Sequence, residues 1–159
     1  MPKLDLKAID ARVGNGYPHP HNLPCDHRIN YALGDAGGLD QFGVNLVTLP
    51  AAKSGEESWA SQRHWHSAED EFVYILSGNC TLVDDTGETP LSTGDACTHK
   101  ANDGNGHHLV NTSGSDVTFL VVGARRPEND HCRYADIDLD LPATGQSDRD
   151  YFHKDGTPY

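Results

Sequence analysis

Residues 64–71 read HWHSAEDE, and this stretch decides which fold and which chemistry the chain can support. In an extended strand the side chains of residues i and i+2 point to the same face, so His64 and His66 project together and Trp65 projects to the other side. If the chain turns over residues 67–70, Glu71 opens a second strand that faces the first. Two imidazole nitrogens and one carboxylate oxygen can ligate a divalent transition metal. A third imidazole from a later strand would complete the set, so the stretch predicts a metalloprotein.

Two motifs carry a resemblance to the cupin superfamily. The first cupin motif has an HXH pair, a Glu and a closing Gly, and the match here runs from His64 to Gly78, although the leading Gly of the motif is absent. The second motif is matched by Gly94 and by the terminal spacing of His107 and Asn111. Lys100 stands where that motif has Pro, and the loop before His107 is longer than the family pattern.

The resemblance implies an all-β, double-stranded β-helix (jelly-roll) cupin barrel with one divalent ion per chain. Zn, Fe, Mn and Ni all accept such donors, and residue types alone do not choose among them. The lengthened loop leaves His108 as an alternative to His107 for the last ligand, and we prefer His107 because Asn111 sets the register. The ligands that the resemblance implies are His64, His66, Glu71 and His107.

The resemblance implies only a broad class of function, without a specific substrate or reaction. The chain resembles most the small single-domain cupins that are provisionally named sugar-phosphate isomerases. That implies a metal-dependent isomerase, lyase or dioxygenase acting on a sugar, a sugar phosphate or a carboxylic acid. The alternative is a non-catalytic ligand-binding or sensing module, because a fold hosts many functions.

Residues beside the motifs are further candidates for the site. Gln62 lies two positions before His64, so in one continuous strand it would face the same cavity, and with Glu71 it is a candidate catalytic residue. Arg63 and Lys100 could anchor a phosphate or a carboxylate, although solvated surface positions are the simpler interpretation. His99, at a strand end, is interpreted as a surface histidine.

Short apolar segments separated by Gly, Pro, Asn and Asp recur along the chain, and this pattern predicts an all-β barrel or sandwich. We expect a single domain over residues 1–159, with an arm (1–27), a barrel core (28–124) and a C-terminal extension (125–159). Tyr151, Phe152 and Tyr159 could anchor the tail. The predicted strands are Arg28–Leu33, Leu39–Leu49, Ser58–His66, Glu71–Ser77, Cys80–Val83, Glu88–Leu91, Ala96–His99, His107–Asn111 and Val117–Val122.

The amino-acid composition excludes some classes of binding partner and indicates where the protein works. A formal charge of −12 over 159 residues repels phosphate backbones, so we expect no nucleic-acid partner. No apolar run reaches the length of a membrane span, and the first residues lack a secretory signal, which predicts a cytoplasmic protein.

The 4 cysteines are widely spaced and are expected to be free thiols. Phe72, Tyr74 and Trp65 should project away from the cavity and favour a homodimer.

Overall fold

A computed structural model describes residues 3–52, 56–143 and 150–159. Helical segments there are short: one α-helix, α1 (Leu33–Ala36), and two 3-10 turns, Leu6–Ala8 and Leu23–Cys25. None of the helices in these three ranges is long and apolar enough to cross a membrane. The strands are β1 (Arg12–Val13), β2 (Ile29–Ala32), β3 (Phe42–Leu49), β4 (Ser58–Trp59), β5 (His64–His66), β6 (Glu71–Ser77), β7 (Asn79–Asp84), β8 (Gly87–Ser92), β9 (Ala96–His99), β10 (His108–Asn111), β11 (Val117–Ala124), β12 (Cys132–Tyr134) and β13 (Asp140–Leu141).

The strands pair antiparallel in three sheets. The largest has the order β1-β2-β3-β11-β6-β9, the second β4-β10-β7-β8, and the third β13-β12-β5. Strands that are neighbours in a sheet are often distant in sequence, as β11 is from both β3 and β6. The all-β class predicted from the strand pattern is confirmed.

The core follows from alternation along the central strands. On β6, Val73 and Ile75 are buried, whereas Phe72 and Tyr74 are exposed on the opposite face. This is the period of two that a pleated strand requires. Residues from both larger sheets build the main core: Val47, Leu49, Val73, Ile75, Cys80, Leu91, Leu109, Val117 and Phe119.

Asn111 at the end of β10 joins the two larger sheets at one end of the barrel. Its side chain is fully buried, and its Nδ2 donates to the carbonyl oxygens of Leu49, Pro50 and Ser115 at 3.1, 3.0 and 2.9 Å. Its Oδ1 accepts from the backbone N–H of Ser113 at 2.9 Å and from the Ser113 hydroxyl at 2.7 Å. One side chain therefore satisfies backbone groups at the end of β3 and in the loop between β10 and β11.

The expectation of one continuous strand over Ser58–His66 is wrong. The chain forms β4, bends through residues 60–63, and then forms β5. The reason is that β4 pairs with β10 in the second sheet, whereas β5 pairs with β12 in the third. A segment that leaves one sheet for another cannot stay extended, so the alternation that related Gln62 to His64 does not apply.

A second apolar cluster holds the C-terminal part of the chain against β5. Its buried members are Cys132, Tyr134, Leu139 and Tyr151. Tyr17 of the N-terminal arm contacts the Tyr134 ring edge-to-face, with centroids 5.7 Å apart. Beyond the cluster, the Tyr159 hydroxyl donates to the carbonyl oxygen of Asp138 at 2.6 Å. The tail thus supports the strand that carries the HXH pair.

Candidate metal centre

Two neighbouring strands and a third segment about 36 residues later bring the predicted ligands together. His64 and His66 lie on β5, Glu71 is the first residue of β6, and His107 immediately precedes β10. The backbone N–H of His64 donates to the carbonyl oxygen of His107 at 3.1 Å, and the N–H of His107 donates back to His64 at 2.9 Å. This isolated bridge fixes the two residues side by side.

The donor atoms of His64, Glu71 and His107 all lie within 4.8 Å of one another. The Nε2 of His107 is 3.5 Å from Oε1 of Glu71, and it is a buried ring nitrogen without a hydrogen-bond partner. A buried polar atom without a partner is costly, so native proteins rarely leave one. A cation held between these donors would satisfy it, and the donor set therefore fits a metal.

Each histidine of the expected set is held through its other ring nitrogen. The Nδ1 of His64 lies 2.8 Å from the carbonyl oxygen of Gln62, the Nδ1 of His107 lies 3.3 Å from that of Asn105, and the Nδ1 of His66 lies 2.6 Å from Oδ2 of Asp130. In these three pairs Nδ1–H donates and Nε2 is left free. This is the arrangement that orients metal-binding imidazoles.

His66 is less central than the other three expected ligands. Its ring centroid is 5.0 Å from that of His64, and its donor atom groups with those of His64 and Cys132 rather than with Glu71. The register of β12 against β5 places Cys132 directly opposite His66. No signal in the sequence pointed to Cys132, because nothing near residue 132 indicates which strand it pairs with. All four cysteines are free thiols, as predicted.

The protonation states favour ligation at neutral pH. Burial, with repulsion from His66 and His107, lowers the pKa of His64 to about 3, so this imidazole is neutral. Burial alone raises the pKa of Glu71, but the contact with His107 and the fields of the neighbouring imidazoles outweigh it and hold that pKa at about 2. A neutral imidazole beside an ionised carboxylate is ready to bind a cation.

The alternative ligand His108 points elsewhere. Its ring meets that of Trp59 edge-to-face, with centroids 4.6 Å apart, and its Nδ1 lies 3.1 Å from the carbonyl oxygen of Ser61. His107, whose ring is 5.1 Å from that of His64, is the residue that faces the candidate centre.

Gln62 contributes through its backbone. Its side-chain amide donates to the carbonyl oxygen of His21 in the N-terminal arm at 2.6 Å, so it does not point along with the His64 ring as the single-strand argument required. Its carbonyl oxygen accepts from His64. Gln62 therefore contacts the N-terminal arm through its side chain and orients the His64 ring through its carbonyl oxygen.

Two further expectations from the sequence are corrected. Arg63 is not a free surface cation, because its guanidinium pairs with both carboxylate oxygens of Asp136, at 2.7 and 2.6 Å, and also with Asp85. His99 is buried rather than exposed, and its ring lies flat on that of His107. Burial, with repulsion from His107, lowers the pKa of His99 to about 4. Lys100 is exposed, as expected.

Comparisons with known proteins agree with this architecture. The family model described as a cupin domain matches residues 49–123. A sugar phosphate isomerase of the cupin superfamily from Silicibacter pomeroyi is 44% identical, with a TM-score of 0.88, over 99% of this chain and 96% of that one. A protein from Acidithiobacillus ferrooxidans, provisionally given the same activity by name, is 27% identical, with a TM-score of 0.74, over 92% of this chain and 85% of that one.

One curated relative covers a shorter stretch. The oxalate-binding protein of Thermotoga maritima is 36% identical over 59 residues, which is 37% of this chain. The match spans 47% of that relative, less than half of its length. These proteins place the described sheets in a known fold, and the names of all three refer to a small polar ligand, a sugar phosphate or oxalate.

Proposed function

The chain belongs to the cupin superfamily, and from that premise we propose that it is a metal-dependent enzyme acting on a small polar metabolite, with a sugar phosphate as the first substrate class to test. The observation that supports this most is the unpartnered, buried Nε2 of His107 beside Glu71 and His64. The similarity to a sugar phosphate isomerase along nearly the whole chain supports the substrate class.

In this proposal His64, His66, Glu71 and His107 hold one divalent transition metal. The ion supplies Lewis-acid polarisation of a carbonyl or hydroxyl oxygen, which several reactions on small polar substrates require. Asp130 keeps the His66 ring in position, and the carbonyl oxygen of Gln62 does the same for His64. An ion that takes more than four ligands would keep a coordination position for substrate beside these four side chains.

Isomerisation of an aldose to a ketose can move a proton between neighbouring carbons, so it needs a base beside the carbon that loses the proton. Glu71 is the carboxylate of the centre and has an ionised side chain, which makes it the candidate for that role as well as a ligand. Arg63 is held by Asp136 and Asp85, so we do not assign it to a substrate phosphate.

Metal content and turnover test the proposal together. Protein purified without chelator should contain one divalent transition metal per chain by elemental analysis. NMR of a panel of aldose and ketose phosphates should show conversion that EDTA abolishes and the same metal restores. Absence of metal, in protein offered Zn²⁺, Mn²⁺, Ni²⁺ and Fe²⁺ in turn, would contradict the proposal.

The second candidate is a non-catalytic binding module, and the oxalate-binding relative favours it. The same panel, extended to oxalate and other small carboxylates, separates the two. Saturable binding in the presence of metal, without any conversion, would favour the module. Iron in the centre would instead direct the search towards dioxygenase chemistry.

We also propose that the protein is a homodimer through the outer face of the largest sheet. Phe72, Tyr74 and Leu76 are 40%, 38% and 40% exposed there, on one face of β6. An apolar row of this kind on an antiparallel sheet is typical of an interaction surface. Trp65 is not part of this surface, because it lies on β5 in the third sheet, where the Arg133 guanidinium is 5.7 Å from its ring centroid.

Light scattering after size exclusion should give the mass of two chains. Tyr74→Glu should shift the mass towards one chain, because a charge in the middle of an apolar interface is costly to bury. Leu23→Glu is the matched control, since Leu23 is equally apolar and 55% exposed but lies in a 3-10 turn outside the sheet. A wild-type mass of one chain at all concentrations would refute the dimer.

A further inference from the structure

His99 adds a fourth imidazole to the candidate centre, and the ligand set does not use it. It lies on β9 directly opposite Glu71 of β6, and its side chain is 9% exposed. Its ring is parallel to that of His107, with an interplanar angle of 6° and centroids 3.4 Å apart. Among the described residues, no group of metal-binding donor atoms includes His99.

The ring of His107 is held less firmly through Nδ1 than the other two. Its Nδ1 is 3.3 Å from the carbonyl oxygen of Asn105, whereas the corresponding distances for His64 and His66 are 2.8 and 2.6 Å. Hydrogen bonds weaken with length, and rotation about χ2 of a histidine is broad. A single long bond therefore leaves the direction of Nε2 poorly fixed, and a flat neighbour against the ring face restricts that rotation.

Two hydrogen bonds anchor the backbone just after His99 to the segments that carry the candidate ligands. Just beyond it, the N–H of Ala101 donates to Oδ1 of Asp70 at 2.8 Å, and the N–H of Asn102 donates to the carbonyl oxygen of His66 at 2.8 Å. The end of β9 is thus tied to the turn before Glu71 and to β5. These bonds hold the backbone that carries the His99 ring in place beside His107.

We propose that His99 is a positioning residue of the metal centre. By stacking on His107 it keeps that imidazole oriented with Nε2 towards Glu71 and the ion, and what it contributes is a flat face rather than a donor atom. The metal part of this inference rests on the proposed function, whereas the orientation of the His107 ring does not.

Two substitutions separate the flat face from the rest of the side chain. His99→Leu keeps an apolar side chain of similar size but removes the plane, and it should weaken metal binding, measured by calorimetry, about tenfold, as loss of an orienting neighbour does. His99→Phe keeps a flat ring without nitrogens and should stay within about threefold of the wild type. With Co²⁺ as the probe, the visible absorption bands should shift in His99→Leu and not in His99→Phe.

His108→Leu is the matched control. His108 adjoins His107 in sequence and is 6% exposed, but its ring packs on Trp59 outside the centre. Its loss should lower the melting temperature and leave the metal Kd unchanged. If His99→Leu does not yield folded protein, His99→Ala removes the same plane with a smaller side chain.

A crystal structure of metal-free His99→Leu gives a readout that needs no metal. The His107 ring should turn, moving its Nε2 away from the position 3.5 Å from Glu71 that it has in the wild type. An unchanged ring together with an unchanged Kd would overturn the inference, and so would equal defects in His99→Phe and His99→Leu. If wild-type protein binds no metal, the proposed function fails, while the ring orientation still decides the role of His99.

Discussion

Replacing His107 by alanine is expected to weaken metal binding by at least about a hundredfold, because the ion loses one of its ligands. The neighbouring His99 offers the face of its ring rather than a donor atom, and among the described residues it shares no group of donor atoms with Glu71. His108 cannot take its place, since its ring is fixed between Trp59 and the Ser61 carbonyl oxygen. His64→Ala should have an effect of the same size, because its donor atom is also within 4.8 Å of Glu71. Calorimetric titration of the metal-free variants, with elemental analysis of the purified proteins, measures both effects.

The control for this pair is an imidazole that also contacts a carboxylate but lies outside the candidate centre. His131 fits, because its Nε2 is 2.7 Å from Oδ2 of Asp140. His131→Ala should retain full metal occupancy. A double variant, His64→Ala with His107→Ala, that still held one metal per chain after dialysis would show that the ion binds elsewhere.

Asn111→Ala is expected to lower the free energy of unfolding by about 3 kcal/mol or more, the largest stability effect that we expect from a single substitution outside the apolar core. Alanine would leave the carbonyl oxygens of Leu49, Pro50 and Ser115 without their common donor. It would also remove the acceptor of the Ser113 N–H and hydroxyl. Unsatisfied groups of this kind cost about 1–3 kcal/mol each when water cannot reach them.

Urea denaturation of the metal-free proteins measures this effect without a contribution from metal affinity. Asn30→Ala is the matched control: Asn30 is also buried, but its Nδ2 makes one long bond of 3.3 Å to Asn45 and its Oδ1 has no partner. Its loss should cost less than about 1 kcal/mol. Equal losses in the two variants would mean that the bonds of Asn111 contribute nothing beyond filling space.

Much of the architecture could be read from local patterns. Alternation along β6 predicted that Phe72 and Tyr74 project away from the cavity, and the HXH spacing predicted that His64 and His66 share one side of a strand. The four-residue spacing between His107 and Asn111 favoured His107 over His108, because a longer loop before both residues does not change it, and His107 is the one whose ring faces the candidate centre. Each of these inferences concerns residues a few positions apart, where backbone geometry alone relates the side chains.

The errors have a common cause. Gln62 was expected to point to the same side as His64 because a single strand was assumed. The chain bends between β4 and β5 because β4 pairs with β10 and β5 pairs with β12, and these pairings cannot be read from the local sequence. His99 looked like a surface residue at a strand end. Its burial depends on β9 pairing with β6 so that it lies opposite Glu71.

The sequence by itself determined the all-β class and the residue types of the candidate metal centre, because short strand patterns and short spacings are encoded within single segments. Only the tertiary structure decided that Asp130 orients His66, that Cys132 lies beside the HXH pair and that His99 stacks on His107. The contacts of Asp130 and Cys132 join segments more than 30 residues apart in sequence. His99 and His107 are closer in sequence, and the long loop lies between them. Their geometry depends on which strands pair and in what register, and a shift of one residue would turn every side chain to the opposite face.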